Sequence, residues 1–150
     1  MLHEDLTAPL IGAFYDVHRE LGHGFLESVY ERAMVVALSG RGIPVERQVP
    51  VTVRYSGHVV GEFCADLLLE NRVLAELKAC RTLEAIHEAQ VINYLRATSI
   101  EVGLLLHFAP KPVFRRLVLS NDRKPHFAPR EHPPAARRAG DRAGATAAAE

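Results

Sequence analysis

Residues 62–78, EFCADLLLENRVLAELK, restrict the fold more than any other part of this chain. Apolar, strand-friendly residues flank the polar tripeptide Glu70, Asn71 and Arg72, the pattern of two short strands joined by a tight turn. If Leu69 pairs with Val73 across that turn, Asp66 falls opposite Glu76, and directly opposed antiparallel residues share one face of a sheet. Lys78, two residues past Glu76, joins that face one step along the strand. Ala65, Leu67, Leu69, Val73, Ala75 and Leu77 are then expected to point the other way, into a core. Like charges opposed across a ladder are destabilising unless something neutralises them. A hard divalent cation such as Mg²⁺ binds one or two carboxylates plus waters or phosphate oxygens, and would turn this conflict into a site.

Helical periodicity precedes the strands. Thr7 and Pro9 mark a start, and Leu10, Phe14, Val17 and Leu21 recur at helical spacing, which predicts a helix over residues 8–21 stopped by Gly22-His23-Gly24. A second helix begins near Phe25 and ends at Gly40 and Gly42, with Glu31, Arg32 and Ser39 on its solvent side. From Pro44 the period changes to 2, across Pro50, giving an edge strand or a bend. Ser56-Gly57 is a hairpin turn, residues 58–69 the next strand and residues 73–80 the third. Thr82 is placed to cap a helix over residues 83–97, with Ile86, Ala89, Ile92 and Leu95 among its core positions and His87, Gln90, Val91 and Tyr94 along one side. The unbroken apolar run VGLLLHF at 102–108 predicts a strand buried on both faces and parallel to the third, and residues 114–119 a last strand.

Charge and composition limit the function classes. The chain is neutral overall, but twelve basic and fourteen acidic side chains precede Ser120, while six basic and four acidic follow it. A domain holding long duplex DNA by charge alone would be basic, and this one is not. Residues 1–119 read as one domain, and residues 120–150, rich in Pro, Arg, Ala and Gly, as a disordered tail. Two cysteines without CxxC spacing, Cys64 and Cys80, argue for free thiols rather than a disulfide scaffold or a zinc site. With no apolar run long enough to span a membrane and acids near its N-terminus, the chain is expected to be cytoplasmic.

The order of helix, three-strand meander, helix and strand, with Asp66 and then Glu76-Leu77-Lys78 on paired strands, resembles the core of the PD-(D/E)xK nuclease superfamily. Gly24-Phe25-Leu26-Glu27-Ser28-Val29-Tyr30 matches the motif that names the GxxExxY protein family, a branch of that superfamily. ERQVPVTVRYSGHVVGEFCADLLLENRVLAELKA and HEAQVINYLRAT are similar to its members, and the resemblance covers residues 8–119. It implies an α/β fold, a restriction-endonuclease-like mixed sheet flanked by helices. Asp66 then matches the metal-binding aspartate, with Ala65 where the superfamily name has proline; Glu76 and Lys78 match the (D/E)xK pair; Glu27 matches a helical acid that often completes the metal site. Gln90 matches a polar residue on the following helix that often assists catalysis.

The activity implied is a Mg²⁺- or Mn²⁺-dependent hydrolysis of phosphodiester bonds in DNA or RNA, with Asp66, Glu76 and Glu27 toward the metal and Lys78 and Gln90 toward catalysis. The alternative is a catalytically inactive nucleic-acid or protein-interaction module on the same fold. Sequence-specific cutting of duplex DNA usually calls for two symmetric sites, so a homodimer is compatible with the enzyme reading. Tyr30 and Tyr94 are expected as core aromatics with satisfied hydroxyls. Of the histidines, His87, one turn before Gln90, is the candidate for a catalytic role, and His23, His58 and His107 for surface or packing positions.

Overall fold

A computed structural model describes residues 1–124. Helix α1 (Glu4–Leu21) begins one turn before the Thr7-Pro9 signal, because Glu4 and Asp5 sit where acids face the positive end of the helix dipole, and Pro9 lies inside it. Leu6, Leu10, Ala13, Phe14 and Val17 form its buried stripe. Gly22 ends it at φ 69°, its N–H donating to the His18 carbonyl at 2.8 Å. Helix α2 (Glu27–Gly40) buries Tyr30, Glu31, Met34 and Leu38. The structure thus corrects the solvent position assigned to Glu31. That residue lies on the buried stripe, where ionic and amide partners from the next element make its burial tolerable.

Strands β1 (Glu46–Tyr55) and β2 (His58–Leu69) form a long antiparallel hairpin, with β1 at the sheet edge, where Pro50 is admissible. Strand β3 (Val73–Lys78) follows the turn Glu70, Asn71 and Arg72, in which Glu70 and Asn71 both have positive φ, 49° and 55°, and the Arg72 N–H donates to the Leu69 carbonyl at 2.9 Å. Leu69 pairs with Val73 as the sequence predicts, and Leu67 with Ala75. Helix α3 (Ala85–Ala97) carries the chain back to β4 (Val102–Phe108), which runs parallel to β3, and β5 (Pro112–Val118) closes the far edge antiparallel to β4. The result is a mixed sheet in the order β1-β2-β3-β4-β5 flanked by helices.

Two apolar layers hold it together. Leu10, Phe14, Tyr30 and Met34 of α1 and α2 pack on Leu67, Leu69, Ala75, Leu77 and Phe108, with Tyr30 stacked on Phe108 at 4.1 Å. On the other face Val91, Tyr94 and Leu95 of α3 pack on Leu68, Leu74 and Leu105. Gly103 permits that approach, since a Cβ there would lie 2.6 Å from Val91 Cγ1. Ala65 belongs to this second layer with Val49 and Val51, not to the first with Leu67, so β2 changes the face its odd residues present at Asp66.

Two further differences have local causes. Strand β3 stops at Lys78, two residues short of the expected end. Glu84, not Thr82, caps α3, through reciprocal bonds with His87, and the helix turns so that Ile86 is 67% exposed. The described residues continue to Lys124. A single 3₁₀ turn, Asn121–Arg123, brings Lys124 back into the fold, where its Nζ donates to the Thr98 and Ile100 carbonyls at 2.8 and 2.9 Å and to Asn121 Oδ1 at 2.6 Å. Residues 125–150, the rest of the expected tail, lie outside the described residues.

Candidate metal centre at the fork of the sheet

Pairing between β1 and β2 runs to Tyr55 and His58, and pairing between β3 and β4 runs to Lys78 and His107, but β2 and β3 are paired over only three residue pairs. Beyond Leu67 and Ala75 the sheet forks. Backbone groups released at a fork need partners, and here carboxylates provide them. The Asp66 N–H donates to Glu76 Oε1 at 3.0 Å, and the Leu77 N–H donates to Asp66 Oδ2 at 2.8 Å. Gln48 lies across from Asp66 on β1 in the left-handed region, φ 50°, between the pairs Arg47–Leu67 and Val49–Ala65. Its amide donates both to Asp66 Oδ1 at 3.2 Å and to Glu31 Oε2 at 2.8 Å, and Arg47 Nε donates to Glu31 Oε1 at 2.9 Å. One polar chain therefore connects α2, β1, β2 and β3.

Glu76 is only 3% exposed. Burial pushes its carboxyl pKa up to about 9, the negative charge of Asp66 adds to the rise, and the Asp66 N–H and the Lys78 ammonium act against it. At neutral pH Glu76 keeps its proton, and the opposed carboxyls of the fork do not both ionise. Lys78, half-buried, makes no ion pair among the described residues. Glu27 opens α2, exposed, and its Oε1 accepts the Ala79 N–H at 3.4 Å, which brings it to the end of β3 one residue past Lys78. On the α3 side, Gln90 Nε2 donates to the Tyr94 hydroxyl at 3.1 Å. That hydroxyl has its pKa raised by burial first and then by the charges of Glu76 and Asp66, so it lies within their field.

Of the residues singled out in the sequence, Asp66, Glu76 and Lys78 converge at the fork, Glu27 stands at its rim, and Gln90 turns to Tyr94 rather than to a carboxylate. Among the described residues no three His, Cys, Asp or Glu side chains stand close enough to hold an ion as they are. The fork nonetheless fits a hard divalent cation: its donors are carboxylate oxygens, Mg²⁺ needs only one or two of these beside water, and a carboxyl that cannot ionise beside its neighbour is what a dication relieves. His87 is occupied in the α3 cap, its Nδ1 accepting the Glu84 N–H at 3.0 Å. His107 is buried against the Cys80 carbonyl. Glu31 and Gln48 escaped the sequence reading. Glu31 could have been found as the residue one turn after Glu27 on the same face; nothing marks Gln48 among its strand neighbours.

Residues 4–117 match the family model of the PD-(D/E)XK nuclease superfamily, a span from the first turn of α1 to the end of β5. This chain belongs to that superfamily. The mixed sheet flanked by helices is accordingly a restriction-endonuclease-like α/β fold, and nucleases of this superfamily typically use divalent metals. Among solved structures this PD-(D/E)XK domain is similar to one titled "Crystal structure of SSO0001", with a TM-score of 0.50 and 19% identity, a likeness of fold. The match covers 81% of this chain and 62% of that one, so the chain spans somewhat less than two thirds of that protein's length. No curated protein matches the chain. Among the described residues no helix is long and apolar enough to cross a membrane.

Proposed function

We propose that this PD-(D/E)XK protein is a metal-dependent nuclease of the GxxExxY type that hydrolyses phosphodiester bonds of DNA or RNA. Asp66 and Glu76 are the proposed ligands of a Mg²⁺ or Mn²⁺ ion, Glu27 supplements them from α2, and Lys78 and Gln90 are the polar catalytic groups. The observation that carries the reading is the reciprocal bonding at the fork, where Asp66 and Glu76 take backbone N–H groups from each other's strands beside Lys78. The GxxExxY motif also has a local physical account. Gly24 adopts φ 103°, the Tyr30 hydroxyl donates to the Gly22 carbonyl at 2.9 Å and accepts the Phe25 N–H at 3.2 Å, and Glu27 is thereby presented to the end of β3.

When bound, a divalent cation supplies neutralisation of phosphate charge and makes water nucleophilic near neutral pH. The chain's own groups do the positioning. Asp66 is aimed by the Leu77 N–H and the Gln48 amide before any ligand arrives, so it needs no reorganisation. Lys78 can hold a phosphate oxygen or orient water, since among the described residues its ammonium makes no ion pair. Gln90, donating to Tyr94, keeps its amide oxygen available to accept from water. Two free thiols fit a reducing, cytoplasmic setting, and a homodimer enters this reading only for cutting both strands of a duplex.

The test is cleavage of single-stranded, duplex and structured DNA and RNA with Mg²⁺ and Mn²⁺ by wild type and Asp66→Ala. Wild type is expected to cut, and the variant to lose at least about a hundredfold in rate, the scale for one preorganised electrostatic group. Equal cutting by both would remove Asp66 from the mechanism. No cutting by wild type with either ion would leave a non-catalytic module on the nuclease fold.

A further inference from the structure

Beyond the fork, β2 carries an aromatic ring that the described chain leaves half exposed. Phe63 is 50% exposed and has two close neighbours. The ring lies 6.1 Å from that of Tyr94, with 43° between planes. It also folds back over its own strand, so that a Cβ on Gly61 would come within 3.2 Å of Phe63 Cε2. The ring thus has neighbours in Tyr94 and the Gly61 backbone while half of the residue stays open to solvent, which offers apolar ring surface for stacking.

The platform is tied to the fork. Tyr94, its neighbour, accepts the Gln90 amide and lies within the field of Glu76 and Asp66. Phe63 precedes Asp66 by three residues, about 10 Å along an extended strand, which suits a base adjacent to a phosphate held at the fork. Closed duplex keeps its bases paired and stacked on one another and offers none to a side-chain ring. Single strands add base stacking on aromatic rings, which tolerates any sequence.

We propose that Phe63 is a base-stacking subsite and that the substrate class of this fork is single-stranded or locally unpaired nucleic acid rather than closed duplex. This rests on the reading of the fork as the nuclease site. Bases flanking the scissile phosphate stack on the ring, while Lys78 engages the backbone, joined by the cation that Asp66 and Glu76 would hold.

The chain contains no tryptophan, so Phe63→Trp in the full chain introduces a single indole reporter at the platform. Titrations in EDTA with a short oligodeoxythymidylate, an oligouridylate, an abasic strand of equal length and a blunt duplex read binding without cutting. Quenching by the two base-bearing strands, and not by the abasic strand or the duplex, is the expected result; the stronger of the two identifies DNA or RNA. Phe63→Ala and Phe63→Leu, the second keeping apolar bulk without a π-face, are each expected to weaken base-bearing strands about tenfold and leave the abasic strand unaffected. The proposal is overturned if abasic and base-bearing strands bind alike, if duplex quenches as strongly, if no strand binds, or if sedimentation shows that Phe63 mediates pairing of two copies instead. Because the readout needs neither metal nor cleavage, base-dependent binding by a wild type that never cuts would sink the nuclease reading alone. Cutting without Phe63-dependent stacking would sink only the platform.

Discussion

From the Glu70-Asn71 turn to Ala75, the β2–β3 hairpin is an ordinary ladder: Leu67, Leu69, Val73 and Ala75 bury one face against α1 and α2, and Leu68 and Leu74 the other against α3. One residue further the same two strands separate, and Asp66 and Glu76 replace the missing ladder bonds with side chains. The contrast lies in what each section does with backbone polarity. The ladder satisfies it with main chain and devotes its side chains to the core; the fork satisfies it with carboxylates and brings a buried acid, a lysine and a left-handed glutamine together. The paired section is built for stability, and the fork keeps a conflict that a cation can resolve.

Substitutions on the two sides of this boundary should therefore behave differently. The largest effect belongs to the ladder: Leu67→Ala, at a fully buried position, is expected to cost about 3 kcal/mol in chemical denaturation while the folded fraction still binds Mn²⁺ with wild-type affinity. Loss of metal binding in proportion to stability would mean that ladder and fork are one unit.

Glu76→Gln should do the reverse. In the folded chain Glu76 keeps its proton up to about pH 9, whereas the unfolded carboxyl releases it near 4.5, so this group's contribution to the stability of the ion-free protein is fullest below the lower value and is lost as pH rises toward the upper. The neutral isostere removes that loss. It should raise stability at pH 8 by on the order of 2 kcal/mol, flatten the pH dependence of the melting temperature and abolish metal binding. A variant that melts lower than wild type at pH 8 would show that the carboxyl is not under the strain described.

The smallest effect is expected at Gln48→Gly, which relieves a left-handed backbone but frees Asp66 and Glu31. Stability should change by less than about 1 kcal/mol, and Mn²⁺ affinity should fall roughly tenfold, as when an outer partner of a ligand is removed. Unchanged affinity would confine Gln48 to a structural role.

The same boundary separates what the sequence discloses from what it hides. The register of the hairpin is legible because a polar tripeptide between apolar runs allows one alignment, which carries Asp66 to Glu76 and Lys78 beside it. The parallel β4 is legible from its unbroken apolar run. Ala65 is not, because simple alternation holds only while a strand stays flat, and β2 changes face at the fork. Glu31 and Gln48 depend on partners 16 to 18 residues away, and Lys124 on carbonyls more than 20 residues back, contacts no local pattern encodes. At the start of α3, Thr82 has the right chemistry for a cap, but Glu84 and His87 satisfy each other reciprocally and displace it.

The most direct test of the account is calorimetric titration of Mn²⁺ at pH 7.5 in buffers of different ionisation enthalpy, which counts the protons released on binding. An ion seated at the fork must displace the proton that burial and Asp66 keep on Glu76, so wild type should release about one proton per ion, and Asp66→Ala should not bind. Binding with no proton release, or undiminished binding by Asp66→Ala, would contradict a metal centre built from this pair.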